Sequence, residues 1–264
     1  YSKYGIKSTS FFTGYIANLY PELVSMVVDA GHEVGSHGKS HLKENGFDVM
    51  PYERQLRHLL ETKKQLEDLS GQEVISFRAP ALRVSDCTAE ALIEAGYRID
   101  SSVASQRFDF FLSFGGIKKL RWFFAPRLPY HTSPNSLFRK GDSPLIEIPL
   151  SALFIPYVGT TMRIFPWITP LQRAGILLES NLNGKPVVFD IHPNELIDES
   201  DEPRMILSRS GNKIAYFFQD WLRAQMMTKN LGAADINLYE REIKFFVKHG
   251  YKFNTLKGYC KEAG

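Results

Sequence analysis

Apolar positions along this 264-residue chain follow two rhythms, and their alternation predicts an α/β protein. Short runs rich in β-branched and aromatic residues read as strands: Ile6 to Phe12, His32 to Ser36, Glu73 to Phe77, Tyr97 to Ile99, Leu145 to Leu150, Pro186 to Ile191 and Tyr251 to Asn254. Between them the spacing turns helical. Pro21 to Ala30 opens on proline and closes before Gly31, while Pro51 to Leu69 sets Leu56, Leu59, Leu60, Leu66 and Leu69 on one face, with Gly71 as its stop. Ser85 reads as the N-cap of a helix through Ala95 that Gly96 ends. Further helices are expected from about Pro170 to Leu182, from about Leu238 to His249, and in the final residues. From Arg107 to Lys140 the rhythm breaks into a stretch rich in Phe, Trp, Arg and Lys, read as a long functional loop or an insertion. Its rings either pack beneath the strands or meet a sugar or a lipid.

Composition narrows the class of partner. With 44% hydrophobic residues the chain can bury one large core, and its length allows one big α/β domain or two small ones. Lys and Arg total 32 against 29 Asp and Glu, and a net charge of +3 so dispersed does not suggest a nucleic-acid surface. Cys87 and Cys260 stand far apart in no metal-type spacing, so both read as buried thiols. No apolar run is long enough to span a membrane, and the N-terminus lacks a basic-then-apolar leader. A cytoplasmic or membrane-peripheral place is favoured on that basis.

Three segments hold candidate chemistry. His37 and His41 follow an expected strand, and four residues of helical spacing bring two imidazoles to one side, which is a metal-ligand spacing; surface or capping histidines are the other reading. His192 ends the expected strand Val187 to His192, with Pro193 behind it, and Asp190 two residues earlier points the same way. Strand ends at the carboxyl face are where barrel enzymes keep their reactive groups, although a histidine can also simply cap a strand. Arg78 closes Val74 to Arg78 and could grip a carboxylate with two parallel hydrogen bonds, or lie on the surface.

In this order the segments resemble the NodB-homology polysaccharide deacetylases, carbohydrate esterase family four. Gly31 to His37 with His41 resembles the family's metal-binding motif, Phe77-Arg-Ala-Pro80 its arginine motif, and Val187 to Pro193 the segment with its catalytic histidine. Tyr4 to Phe12, Ala95 to Ser102 and His249 to Leu256 match further family runs. His192-Pro-Asn-Glu195 is similar to the branch found in bacterial exopolysaccharide loci.

The resemblance implies a distorted, incomplete (β/α) barrel, read as a single domain over 1–264 with an irregular insertion at about 105–143. It implies a divalent metal, zinc by preference, on His37 and His41; His192 as the acid that protonates the leaving amine; and Arg78 orienting the base. Ala81, Asp190, Arg163 and Asp100 are expected around the substrate, an N-acetylated saccharide. The family carries two aspartates, a metal ligand and the base, on a strand preceding Tyr4, and the sequence begins after that point, so the chain as given is expected to lack both. A small-substrate amide hydrolase and an inactive sugar-binding relative are the alternatives.

Overall fold

The computed structural model describes residues 1–105, 122–198 and 221–263, which group into two compact units. The first holds residues 1–105, 124–149 and 252–263, and the second residues 122–123, 150–198 and 221–251.

In the first unit the parallel pattern read from the sequence is present. Strands β1 (Thr9–Phe12), β2 (Glu33–Ser36), β3 (Ser76–Phe77) and β4 (Ile99–Asp100) pair in chain order, all parallel. The hairpin β5 (Tyr130–Ser133) and β6 (Ser136–Lys140) is antiparallel, and β7 (Ile146–Glu147) pairs in parallel with β4 and antiparallel with β5. The resulting order, β1-β2-β3-β4-β7-β5-β6, leaves the sheet open. Helices α1 (Gly14–Leu19) and α2 (Pro21–Asp29) link β1 to β2, α3 (Tyr52–Ser70) links β2 to β3, and α4 (Thr88–Glu94) links β3 to β4. A strand, a crossover helix and a parallel strand is the connection that apolar strands separated by amphipathic helices dictate.

The core of this unit lies where α3 and α4 cover the sheet. Leu59, Leu66, Leu92 and Phe77 are fully buried, and the rings of Phe47, Phe77 and Tyr97 meet edge to face at centroid distances of 5.1 and 5.6 Å. Gly71 ends α3 in the left-handed conformation at φ 63°, as its place in the sequence requires. Leu60, expected on the apolar face of α3, is instead 48% exposed.

Two expected strands do not form. Tyr251 to Asn254 has no ladder, and Pro186 to Ile191 makes one isolated bridge, Asp190 to Val158. Ser85 does not cap α4 either: Cys87 holds the N-cap position, while the Ser85 amide donates to Thr88 Oγ1 at 2.9 Å. Of the stretch expected to be irregular, residues 106–121 lie outside the described residues, and Tyr130 to Lys140 forms the β5–β6 hairpin.

The second unit contains the short hairpin β8 (Ala152–Leu153) and β9 (Ile155–Pro156), α5 (Gly159–Ile164), α6 (Thr169–Asn183) and a helix spanning Ala233–Lys248. Its aromatic centre is Tyr157, against Phe189 at 4.7 Å and Phe246 at 6.3 Å. The Tyr157 hydroxyl donates to Glu242, which also accepts from Arg173 at 2.8 Å. No helix among the described residues is long and apolar enough to cross a membrane.

Candidate functional site

Strand β2 is buried along its length and ends at Ser36, where the chain turns through Gly38 at φ 66°. A side chain at that position would be strained and would press on the Phe47 ring at 3.0 Å, so glycine lets the loop after β2 fold back tightly. That loop carries His37 and His41, whose ring centroids lie 4.9 Å apart. His37 Nδ1 lies 2.6 Å from the carbonyl oxygen of Arg78. A carbonyl oxygen only accepts, so Nδ1 carries the hydrogen and the lone pair sits on Nε2. A neutral imidazole held in this tautomer by a backbone carbonyl is the form in which histidine ligates a metal.

Arg78 leaves the end of β3 and is buried. Its Nε donates to the Ser101 carbonyl at 3.0 Å and a terminal nitrogen to Ser101 Oγ at 2.9 Å, while its Cζ stands 4.6 Å from the centre of the Phe11 ring. The arginine is therefore a built part of the interior and not a surface residue. Behind it Asp100 is fully buried and accepts from Ser102 Oγ at 2.6 Å. That location fits a residue shaping the surroundings of Arg78. Ala81 is exposed in the turn after Pro80, and both Ala81 (φ 52°) and Leu82 (φ 54°) take the left-handed conformation that such residues rarely adopt.

The remaining expected residues lie in the second unit. His192 is the N-cap of a 3-10 turn over Pro193–Leu196 and not the end of a strand, and its side chain is 47% exposed. Glu195 closes that turn on itself, its Oε2 accepting from the His192 amide at 3.1 Å and lying 3.8 Å from His192 Nδ1. The Asp190 carbonyl accepts from the Gly159 amide at 2.7 Å, which ties the segment before His192 to the start of α5.

Arg163, also expected near substrate, is buried and committed to partners in its own unit. Its side chain is 2% exposed; Nε donates to Glu195 Oε1 at 2.9 Å, and another nitrogen to the carbonyls of Met227 and Lys229 at 2.9 and 3.1 Å. It holds Glu195 in place. Burial pushes the Glu195 carboxyl up, but hydrogen bonds from His192, Thr160 and Arg163 together outweigh it and hold the group down at about 2.

Sequence reasoning assigned no role to Glu195, although it stands in the quoted His-Pro-Asn-Glu run. It also missed Asp235 and Glu147. Asp235 is fully buried with neither carboxyl oxygen hydrogen-bonded among the described residues, and burial together with the charge of Glu195 pushes it up to about 7. An acid in the first turn of a helix looks ordinary in sequence, so nothing marked it. Glu147 did carry a signal, as the lone charge within the apolar run Leu145 to Leu150.

Among the described residues no group of three or more His, Cys, Asp or Glu side chains lies close enough to hold a metal ion. The His37 and His41 pair suits two positions of a tetrahedral zinc site in donor type, His37 also in tautomer, and among the described residues a third protein ligand is missing.

Residues 2–99, which contain β1 to β3, the first residue of β4 and this histidine pair, match the model of the polysaccharide deacetylase family. The peptidoglycan deacetylase of Helicobacter pylori is 34% identical over 108 residues, 41% of this chain and 36% of that protein. The peptidoglycan-N-acetylglucosamine deacetylase of Bacillus cereus is 32% identical over 97 residues, 36% of this chain and 43% of that protein. The matches thus span well under half of either relative. A Mycobacterium smegmatis protein assigned to the polysaccharide deacetylases shares the fold at a TM-score of 0.50 and 20% identity, over 72% of this chain and 60% of that one. The resemblance read in the motifs is borne out over residues 2–99, which are similar to the polysaccharide deacetylases.

Proposed function

We propose that this chain is part of a hydrolase that removes N-acetyl groups from an amino-sugar polymer or a lipid-linked saccharide. The observation that carries the reading is the histidine pair: two imidazoles 4.9 Å apart, one locked as a metal-binding tautomer by the Arg78 carbonyl, within the segment that matches the deacetylases. In this reading His37 and His41 hold a divalent ion, zinc by donor preference, together with a third ligand from outside the described residues. Such an ion, when bound, polarises an acetamide carbonyl and acidifies a water. Arg78 orients the carboxylate that serves as base, and His192, exposed and backed by Glu195, supplies a proton to the departing amine.

Peptidoglycan is the polymer named for both curated relatives, and the run His192-Pro-Asn-Glu195 supports an exopolysaccharide as the other substrate of this class. A sugar-binding or scaffolding protein without turnover is the second reading, favoured by the shortage of metal donors among the described residues. Acetate release from N-acetylglucosamine oligomers by the intact natural protein separates the two. Turnover that His37→Ala lowers by at least about 100-fold supports the hydrolase. Sugar binding with no acetate released supports the scaffold.

A further inference from the structure

Asp100 and Glu147 are register partners on the adjacent parallel strands β4 and β7, so their side chains stand next to each other on one face of the sheet. Both are fully buried. One oxygen of each is satisfied: Asp100 Oδ1 accepts from Ser102 Oγ at 2.6 Å, and Glu147 Oε1 from the Val103 amide at 3.0 Å. Among the described residues, Asp100 Oδ2 and Glu147 Oε2 are buried without any donor for as long as both acids are ionised. Among the described residues two other ionisable groups face them, Arg78 from the end of β3 and Tyr130 from β5, itself the register partner of Glu147 on the other side. The Tyr130 hydroxyl is committed to the Leu137 carbonyl, which leaves its proton unavailable to the acids.

Two like charges side by side in a dry interior repel strongly, whereas one proton between them relieves the repulsion and satisfies both orphan oxygens. We propose that Glu147 keeps its proton in the folded protein and donates it to Asp100, so that the pair bears one negative charge and Asp100 becomes the buried counter-ion that positions Arg78. The neighbouring interactions agree on which acid is neutral. Burial raises both, and the Asp100 charge lifts Glu147 further, well above the usual range, while hydrogen bonds from Glu147 and Ser102 draw Asp100 back. Arg78 donates to both the carbonyl and the hydroxyl of Ser101, the residue after Asp100, and its own carbonyl fixes the His37 tautomer. The charge of the pair therefore reaches the histidine site through Arg78, which makes Glu147 a positioning residue. This assignment does not depend on the deacetylase reading.

The test is carboxyl carbon NMR on the full chain with only its glutamate side chains labelled. One glutamate resonance should stay at the protonated position between about pH 5 and pH 8, where ordinary glutamates are ionised, and should vanish in Glu147→Gln. If that variant does not fold, the resonance is assigned in the wild type by its contact with the Val103 amide proton. Ordinary ionisation of every glutamate, or a protonated signal that belongs to another one, would overturn the proposal.

Amide replacement gives the second readout. Glu147→Gln, which mimics a neutral acid, should hold Tm within about 4 °C, whereas Asp100→Asn should lower it by about 8 °C or more and speed hydrogen exchange at Arg78 Nε. Equal tolerance of both substitutions, with Arg78 Nε unchanged, would remove Asp100 as the counter-ion.

Discussion

Glu195 is the residue on which the polar interior of the second unit turns, since it binds Thr160, Arg163 and the His192 amide at once. Removing its charge leaves the Arg163 guanidinium buried and unpaired. Glu195→Gln should therefore cost about 3–5 kcal/mol in urea unfolding, and replacing Arg163 and Glu195 together by apolar residues of similar size should recover much of that loss. Asp235 runs the other way with pH. Its folded value of about 7 stands above the ordinary 3.8, so its contribution is fully present below 3.8 and is lost as pH rises through 7. Thermal unfolding should show stability declining over that window, and Asp235→Asn should flatten the decline. Sequence alone exposed Arg163 and the His-Pro-Asn-Glu run through charge and motif. It could not show that Arg163 and Glu195 meet, because partners 32 positions apart are joined only by the fold.

At the scale of elements, periodicity was legible where one face packs and the other is solvated. On α3 the buried Leu59 and Leu66 follow the helical stripe, and Leu60 strays from it because one further residue rotates the side chain about 100° round the axis. Leu66→Ala should cost about 2–5 kcal/mol and Leu60→Ala less than about 0.5, a contrast that chemical denaturation of the two variants would read directly. Strand propensity was less informative. The run Pro186 to Ile191 is more apolar than β2, yet a strand also needs a neighbour with a free edge in register, and among the described residues the run forms one isolated bridge, Asp190 to Val158. Conversely Tyr130 to Lys140 contains enough charge and turn residues to look irregular, but Pro134 and Asn135 provide the bend between two strands that β7 completes.

For the whole molecule the legible part is the sheet of the first unit and the pair of histidines on its β2 loop, because both follow from local pattern and one glycine. The tautomer of His37 was not legible, since it depends on the Arg78 carbonyl arriving from 41 residues away. That tautomer makes metal binding a property the folded chain should display without any turnover. Zinc at about 100 times its dissociation constant would stabilise the native state by about 2.7 kcal/mol, a rise of several degrees in Tm for a chain of this size. The rise should vanish in the His37→Ala/His41→Ala double variant, which must be compared with its own zinc-free melting curve. It should also fade on acidification in the wild type, because protonation of either imidazole removes a lone pair that the metal needs. A zinc-induced shift of equal size in the double variant would place the ion elsewhere and leave the β2 loop without a metal role.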